Sequence, residues 1–260
     1  MKRKYKLFTG IILIIICFLL FSIYVININK KITLNSFFNH SNISFNKALG
    51  DIYIPTKTDY LLSLFFKSDI KQEVELENIT TKDTLITFNN SNIQIVDYSV
   101  EKDSLIENGY TLNLIIRIDS NEQNKINNIY INNKKYEIGE ITITTNENNH
   151  LLIKSNVAAG SSFEKYFADF INQINTDINI YDLSCGSLDI TKPIYEISNP
   201  QQTYLENFVI SKDEVSTITV YFDKSKLENT IETIYVSPRF SYILNGETFT
   251  YYFPYGVYKL

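Results

Sequence analysis

Asn124-Lys-Ile-Asn-Asn-Ile-Tyr-Ile131 returns 105 residues later as Asn229-Thr-Ile-Glu-Thr-Ile-Tyr-Val236. Upstream, Tyr110-Thr-Leu-Asn-Leu-Ile-Ile-Arg-Ile-Asp119 aligns with Glu214-Val-Ser-Thr-Ile-Thr-Val-Tyr-Phe-Asp223 at an offset of 104, and Glu73-Val-Glu-Leu-Glu-Asn-Ile79 aligns with Asp177-Ile-Asn-Ile-Tyr-Asp-Leu183 at the same offset. Each match is weak alone. Three at nearly one spacing describe the duplication of a unit of about 100 residues, the size of a domain.

Working outward, the composition agrees with strands. Of 260 residues, 44% are hydrophobic and 20% charged, so the chain can build cores. Nineteen Tyr and seventeen Phe, with only eight Gly, favour strands over helices. Lys exceeds Arg by 21 to 3, a bias typical of AT-rich coding, which points to a low-GC bacterium.

At the N-terminus, residues 7–28 form 22 residues without a charge. As a helix at about 1.5 Å per residue this spans roughly 33 Å, enough to cross the hydrocarbon core of a bilayer. Four cations precede it in residues 1–6, which predicts a cytoplasmic basic segment and an exported remainder. A cleaved signal peptide would want small residues at the end of the run, yet no Ala occurs before Ala48. Ile16 is too large for a lipoprotein signal at Cys17, which reads as a lipid-facing or packed residue. All 29 acids lie beyond residue 30, where they face 20 cations, a net of −9. That sign argues against a nucleic-acid partner and against flat binding to anionic lipid. Cys185 is the single cysteine outside the apolar run, so the exported part cannot form an intramolecular disulfide.

Residues 29–50 read as a polar stalk, 51–154 as a first β-domain, 155–162 as a small-residue linker and 163–260 as a second β-domain. Strands are predicted at Tyr60–Phe66, Leu85–Phe88, Ile93–Ser99, Tyr110–Ile118, Ile126–Ile131, Lys135–Ile138 and Ile141–Thr144. Glu73, Glu75 and Glu77 alternate with apolar residues, which describes a solvated strand face and not a calcium loop. Asn132-Asn133 and Asn245-Gly246 are hairpin signals, because Asn and Gly tolerate positive φ. Residues 163–175 are ambiguous: the aromatic spacing suits a helix, whereas the repeat lays Tyr166–Ile171 on the strand at Leu62–Lys67, and we follow the repeat. The second copy carries about eight extra residues, Ser237–Leu244, before its last hairpin.

Regularly spaced short strands without long amphipathic helices describe an all-β fold of packed sheets. Leu205 through Phe222, in which the polar turn Ser211-Lys-Asp-Glu214 precedes a strand of alternating apolar residues, resembles a recurring piece of bacterial immunoglobulin-like extracellular domains. The resemblance extends over the two repeats at the level of pattern. It departs from the antibody type, having neither a Cys pair nor any Trp. It implies two tandem immunoglobulin-like β-sandwiches serving as spacers, ligand platforms or adhesive modules.

Residues able to carry chemistry are few. His40 and His150 are the two histidines, and both read as exposed loop residues. Cys185 in Ser184-Cys-Gly-Ser187 reads as a core or turn position, with a thiol-dependent enzyme using Cys185 and His150 as the alternative. No metal-ligand spacing and no cofactor motif occurs, so neither catalytic residues nor a metal or cofactor is expected. The densest aromatic run, Phe249 to Tyr258, alternates as a final strand would. Its Tyr251, Tyr252, Phe253, Tyr255 and Tyr258, with Phe240 and Tyr242 of the extra segment, are the candidate partner-binding residues. Together these readings predict a single-pass, membrane-anchored extracellular protein of the bacterial cell envelope. Its expected role is non-enzymatic binding or scaffolding of an envelope protein partner; the alternatives are the thiol enzyme and an inert accessory subunit of a membrane complex.

Overall fold

The computed structural model describes residues 18–22, 32–70, 74–75, 84–103, 106–146, 153–157, 165–186, 194–198, 203–204 and 208–260. The first domain begins with β1 (Ile32–Thr33), a helix α1 (Leu34–His40), β2 (Ile43–Phe45), β3 (Ala48–Pro55) and β4 (Tyr60–Ser68). It continues through β5 (Val74–Glu75), β6 (Ile86–Phe88), β7 (Ile93–Lys102), β8 (Gly109–Ile118), β9 (Gln123–Ile131) and β10 (Lys134–Asn146). One sheet has the order β2-β4-β8-β7 and the other contains β3-β10-β9-β6, with β3 parallel to β10 and the remaining pairs antiparallel. A first strand that pairs briefly in one sheet and then crosses to lie parallel to the last strand of the other is the immunoglobulin-like arrangement. The chain is therefore all-β and immunoglobulin-like in its described part.

The second domain holds β11 (Ile153–Val157), β12 (Lys165–Asn172), β13 (Ile178–Ser184), β14 (Ile194–Ser198), β15 (Thr203–Tyr204), β16 (Phe208–Ile210) and β17 (Val215–Tyr221). A 3-10 turn at Lys224–Lys226 leads to β18 (Thr233–Val236), β19 (Arg239–Leu244), β20 (Glu247–Tyr252) and β21 (Gly256–Lys259). Its sheets run β11-β12-β17-β14-β15 and β16-β13-β19-β20. Strands β4 and β12 occupy one position of the fold, and β8 and β17 another, each in the middle of its sheet. The repeat thus matches strand to strand, β4 with β12 and β8 with β17, but not residue to residue: Leu62 lies opposite Leu114, whereas Tyr166 lies opposite Val220, two residues beyond the position that the offset of 104 gives. Residues 165–172 are strand and not helix, because Tyr166, Ala168 and Phe170 are buried at a period of two.

The other sheet does not obey the repeat. Strands β18 and β21 leave their own domain and extend the first domain's sheet, giving the order β21-β18-β3-β10-β9-β6. Val74–Glu75 pairs with Ile32–Thr33, whereas the matched β13 lies between β16 and β19.

Two boundaries need correction. The expected stalk at 29–50 is folded from Ile32 onward: Leu34, Phe37, Phe38, Phe45 and Ala48 sit in the first core. Phe37 packs against Phe66 and Tyr110, so aromatics scattered among Asn residues were core positions and not a tether. The expected linker at 155–162 begins inside β11, whose Ser155–Val157 pair with Ala168–Phe170; the rest of that linker lies outside the described residues. Of the expected span at 7–28, residues 18–22 are described and helical, with Phe18, Leu19, Leu20 and Phe21 exposed. Among the described residues no helix is long and apolar enough to cross a membrane; the remainder of the span and the basic segment 1–6 lie outside them.

Candidate functional site

The most specific arrangement in the molecule is the joint between the domains. It is built from the second domain's last hairpin. Asn245 (φ 53°) and Gly246 (φ 83°) make a tight turn between β19 and β20, as Asn132 and Asn133 (φ 51° and 66°) do between β9 and β10. From this turn the hairpin is regular as far as Arg239 opposite Tyr252. It then breaks at Ser237-Pro238 on one strand and Phe253-Pro254 on the other, where neither proline can donate to a ladder. The break is sealed by Phe253 N–H donating to Pro238 O (2.8 Å) and by the Ser237 hydroxyl donating to Phe253 O (2.6 Å). Beyond it, β18 and β21 pair with each other, and β18 runs parallel to β3 with Thr233 opposite Ala48 and Val236 opposite Asp51.

This places β18 between two cores. All four of its residues are buried. Tyr235 enters the first core, while Ile234 and Val236 enter the second. A strand apolar on both faces is what Thr-Ile-Tyr-Val spells, and it is the pattern of strands covered on both sides. The partner strand divides in the same way: Ile52 and Ile54 face the first core, Leu49 packs on the second, and Tyr53 stacks on Tyr252 with ring centroids 4.0 Å apart and planes 8° from parallel. Gly50 stands opposite Tyr235, and a Cβ there would collide with Tyr235 Cβ, so this glycine makes room for the tyrosine.

The hairpin also closes an open edge. Strand β2 covers only residues 66–68 of β4, which leaves the carbonyls of residues 61, 63 and 65 on a bare edge. Each is satisfied. Asn46 N–H donates to Phe65 O (2.8 Å), the Tyr235 hydroxyl donates to Ser63 O (2.5 Å), and the Tyr255 hydroxyl donates to Leu61 O. Two of the three donors come from the second domain, so its phenols replace the missing length of β2. Burial pushes the Tyr235 phenol well above its ordinary value, with the neighbouring Tyr255 adding to it. Burial and then Tyr60 raise Tyr255. Burial and then Tyr252 push Tyr53 up to about 12. At the chain's end, Lys259 pairs with Asp103 and lies 4.1 Å above the Phe65 ring.

The candidate partner-binding residues are accounted for by this joint and by the second core. Phe240, Tyr242, Tyr251, Phe253 and Tyr258 are buried in the second core. Tyr252 stacks on Tyr53, and Tyr255 lies against Tyr60 and Tyr235. Their assignment to partner binding is therefore corrected, while the alternation of a final strand holds: Tyr251 and Phe253 fill the second core, and Tyr252 and Tyr255 are covered by the first domain. Tyr166 donates its hydroxyl to Pro254 O (2.9 Å), fixing the break in the hairpin. The Tyr242 and Tyr258 hydroxyls are buried with no hydrogen-bond partner among the described residues.

Cys185 is fully buried in the second core, at the end of β13 and away from solvent. His40 ends α1 on the surface, its Nδ1 2.9 Å from Ser36 O. His150 lies outside the described residues. Among the described residues no group of three or more His, Cys, Asp or Glu is placed to hold a metal ion. Sequence reasoning missed Gly50, Tyr53 and Ser63 of the joint. The signal available was the two-faced apolar run at 233–236 together with a glycine in a strand interior.

No family model matches the chain, and no curated protein matches it. Among solved structures it is similar to a titin fragment, with 8% identity over 82% of this chain and 96% of that one, and a TM-score of 0.23. It is similar also to a marsupial T cell receptor, with 7% identity over 82% of this chain and 94% of that one, and a TM-score of 0.24. The immunoglobulin-like assignment rests on the strand order, not on superpositions this loose.

Proposed function

We propose that the chain is a single-pass, membrane-anchored extracellular protein of the bacterial cell envelope, and that its immunoglobulin-like pair is a non-enzymatic scaffold holding a protein partner. The carrying observation is the joint. A strand buried between two cores, in one sheet with both domains, makes the pair a stiff unit and not two beads on a string. Stiffness suits a device that presents a surface at a fixed distance. The uncharged run at 7–28, with four cations before it against two, Lys30 and Lys31, after it, supplies the anchor and the orientation. The burial of Cys185 supports the non-enzymatic reading over a thiol mechanism, since a nucleophile must meet its substrate.

The test is protease shaving of intact cells carrying the full chain with a C-terminal epitope tag. The tag should disappear while a short N-terminal fragment stays in the membrane fraction. A tag that is protected, or a chain recovered in the soluble fraction, would contradict the reading.

A further inference from the structure

Beside the joint lies a cleft of about 710 Å³, a size ordinary for ligand sites. One wall is the outer face of β9 and β10, with Asn127, Lys135 and Glu137. The other is the second domain's loop before β18, with Lys226 and Glu228, and Lys47 stands at the end of the cleft. The floor is apolar, from Leu49, Leu227 and Ile231.

Three features restrict what could fill it. First, the lining holds three lysines and three glutamates, so it favours neither a polyanion nor a polycation. Second, the charges on the first wall are available. Glu140 is taken by Lys125 (2.6 Å), whereas Lys135 and Glu137 on that wall, like Lys47 at the end of the cleft, make no ion pair among the described residues. Third, no aromatic ring lines the cleft among the described residues, so the usual stacking face for a sugar is missing. A bulge sets the geometry. Between Glu137 and Ile141, three residues of β10 oppose the single Asn127 of β9, and Gly139 (φ 88°) lies against the Ala48 backbone. Bulges of this kind re-aim side chains beside functional surfaces.

Lys135 and Glu137 lie two residues apart on one strand face. In extended chain that spacing is about 6.8 Å, and it matches opposite charges two residues apart on an extended partner. We propose that this cleft binds an extended peptide segment carrying acidic and basic residues at alternate positions. The proposal deepens the scaffold reading by naming the partner's chemistry, and it rests on that reading only for its biological setting.

The test uses the full chain in nanodiscs and four synthetic probes, with binding followed by calorimetry. The first probe alternates Glu-Ser-Lys-Ser over two repeats. The second is an isomer of the same composition with Glu and Lys in separate blocks, the third replaces every Lys by Glu, and the fourth is chitotetraose. The alternating peptide should saturate and bind at least about tenfold more tightly than the other three. The double substitution Lys135→Gln with Glu137→Gln keeps the net charge, sits on an exposed strand face and should weaken that binding by about tenfold. Glu228→Lys on the opposite wall should weaken it as well. Equal binding of all peptides, indifference to the loss of the two wall charges, or preference for chitotetraose would overturn the proposal. A chain that fails here while passing the shaving test would keep its anchor and scaffold reading and lose only this ligand.

Discussion

The two hairpins that close the two domains begin alike and end differently. In the first domain, β9 and β10 stay together from the Asn132-Asn133 turn to the far end of the sheet, with β6 on one side and β3 on the other. In the second, the part of the hairpin next to the turn joins β13, while the part away from it crosses to β3 of the first domain. The extra residues Ser237–Leu244 explain the divergence. They supply β19, the strand that meets β13, and so release the segment matching 124–131 to build a wall of the other domain. A duplicated unit has thus become a joint by lengthening one hairpin. What is shared between the copies, at β4 with β12 and β8 with β17, is scaffold; what differs is the connection.

The comparison can be broken first at Tyr235, which no residue of the first hairpin imitates in reaching across domains. Tyr235→Ala removes a fully buried ring from the first core and should cost about 3–5 kcal/mol by urea denaturation. It should also split a single transition into two. Gly50→Val places a side chain against Tyr235 and should cost about 1–3 kcal/mol through overpacking, with the same loss of coupling. Tyr235→Phe keeps the ring but leaves Ser63 O without its donor, which should cost about 1–3 kcal/mol.

A pH titration sharpens the same contrast. An unfolded phenol titrates near pH 10, and the folded Tyr235, Tyr255 and Tyr53 hold their protons more tightly. Their contribution is complete below pH 10. Above it the unfolded state releases protons first, so stability should fall as pH rises through about 10 to 12. Tyr235→Phe should make that decline shallower in alkaline denaturation monitored by circular dichroism. The smallest effect is expected at the hairpin tip. Gly246→Ala meets no neighbouring atom but must adopt φ 83°, costing about 1–2 kcal/mol. It should leave domain coupling intact, unlike every substitution at the joint.

Much of the strand layout was legible because side chains alternate. Tyr110–Ile118 and Ile126–Ile131 are found within a few residues of their predicted ends. Both hairpin turns announced themselves through Asn and Gly. What could not be read was partnership. The two-residue period says which face of a strand is buried but not which strand lies beside it. A parallel pair such as β18 with β3 joins residues 185 apart, and no local signal records it. The aromatic tail misled for a related reason: Tyr252, and Tyr255 beyond the break at Pro254, lie outside the second core, as exposed residues would, yet the first domain covers them. The small-residue stretch at 155–162 looked like a linker although Ser155 and Asn156 belong to β11 and pair with Phe170 and Asp169 of β12, since composition does not register backbone pairing.

The central claim, that the second domain's hairpin is a structural wall of the first, is tested most directly by native-state hydrogen exchange at residues 48–54 and 233–236. The amides of β3 and β18 should open with the same free energy and the same denaturant dependence, and Tyr235→Ala should lower both together. Opening of β18 at a much lower free energy than β3, with β3 unchanged by Tyr235→Ala, would contradict the account.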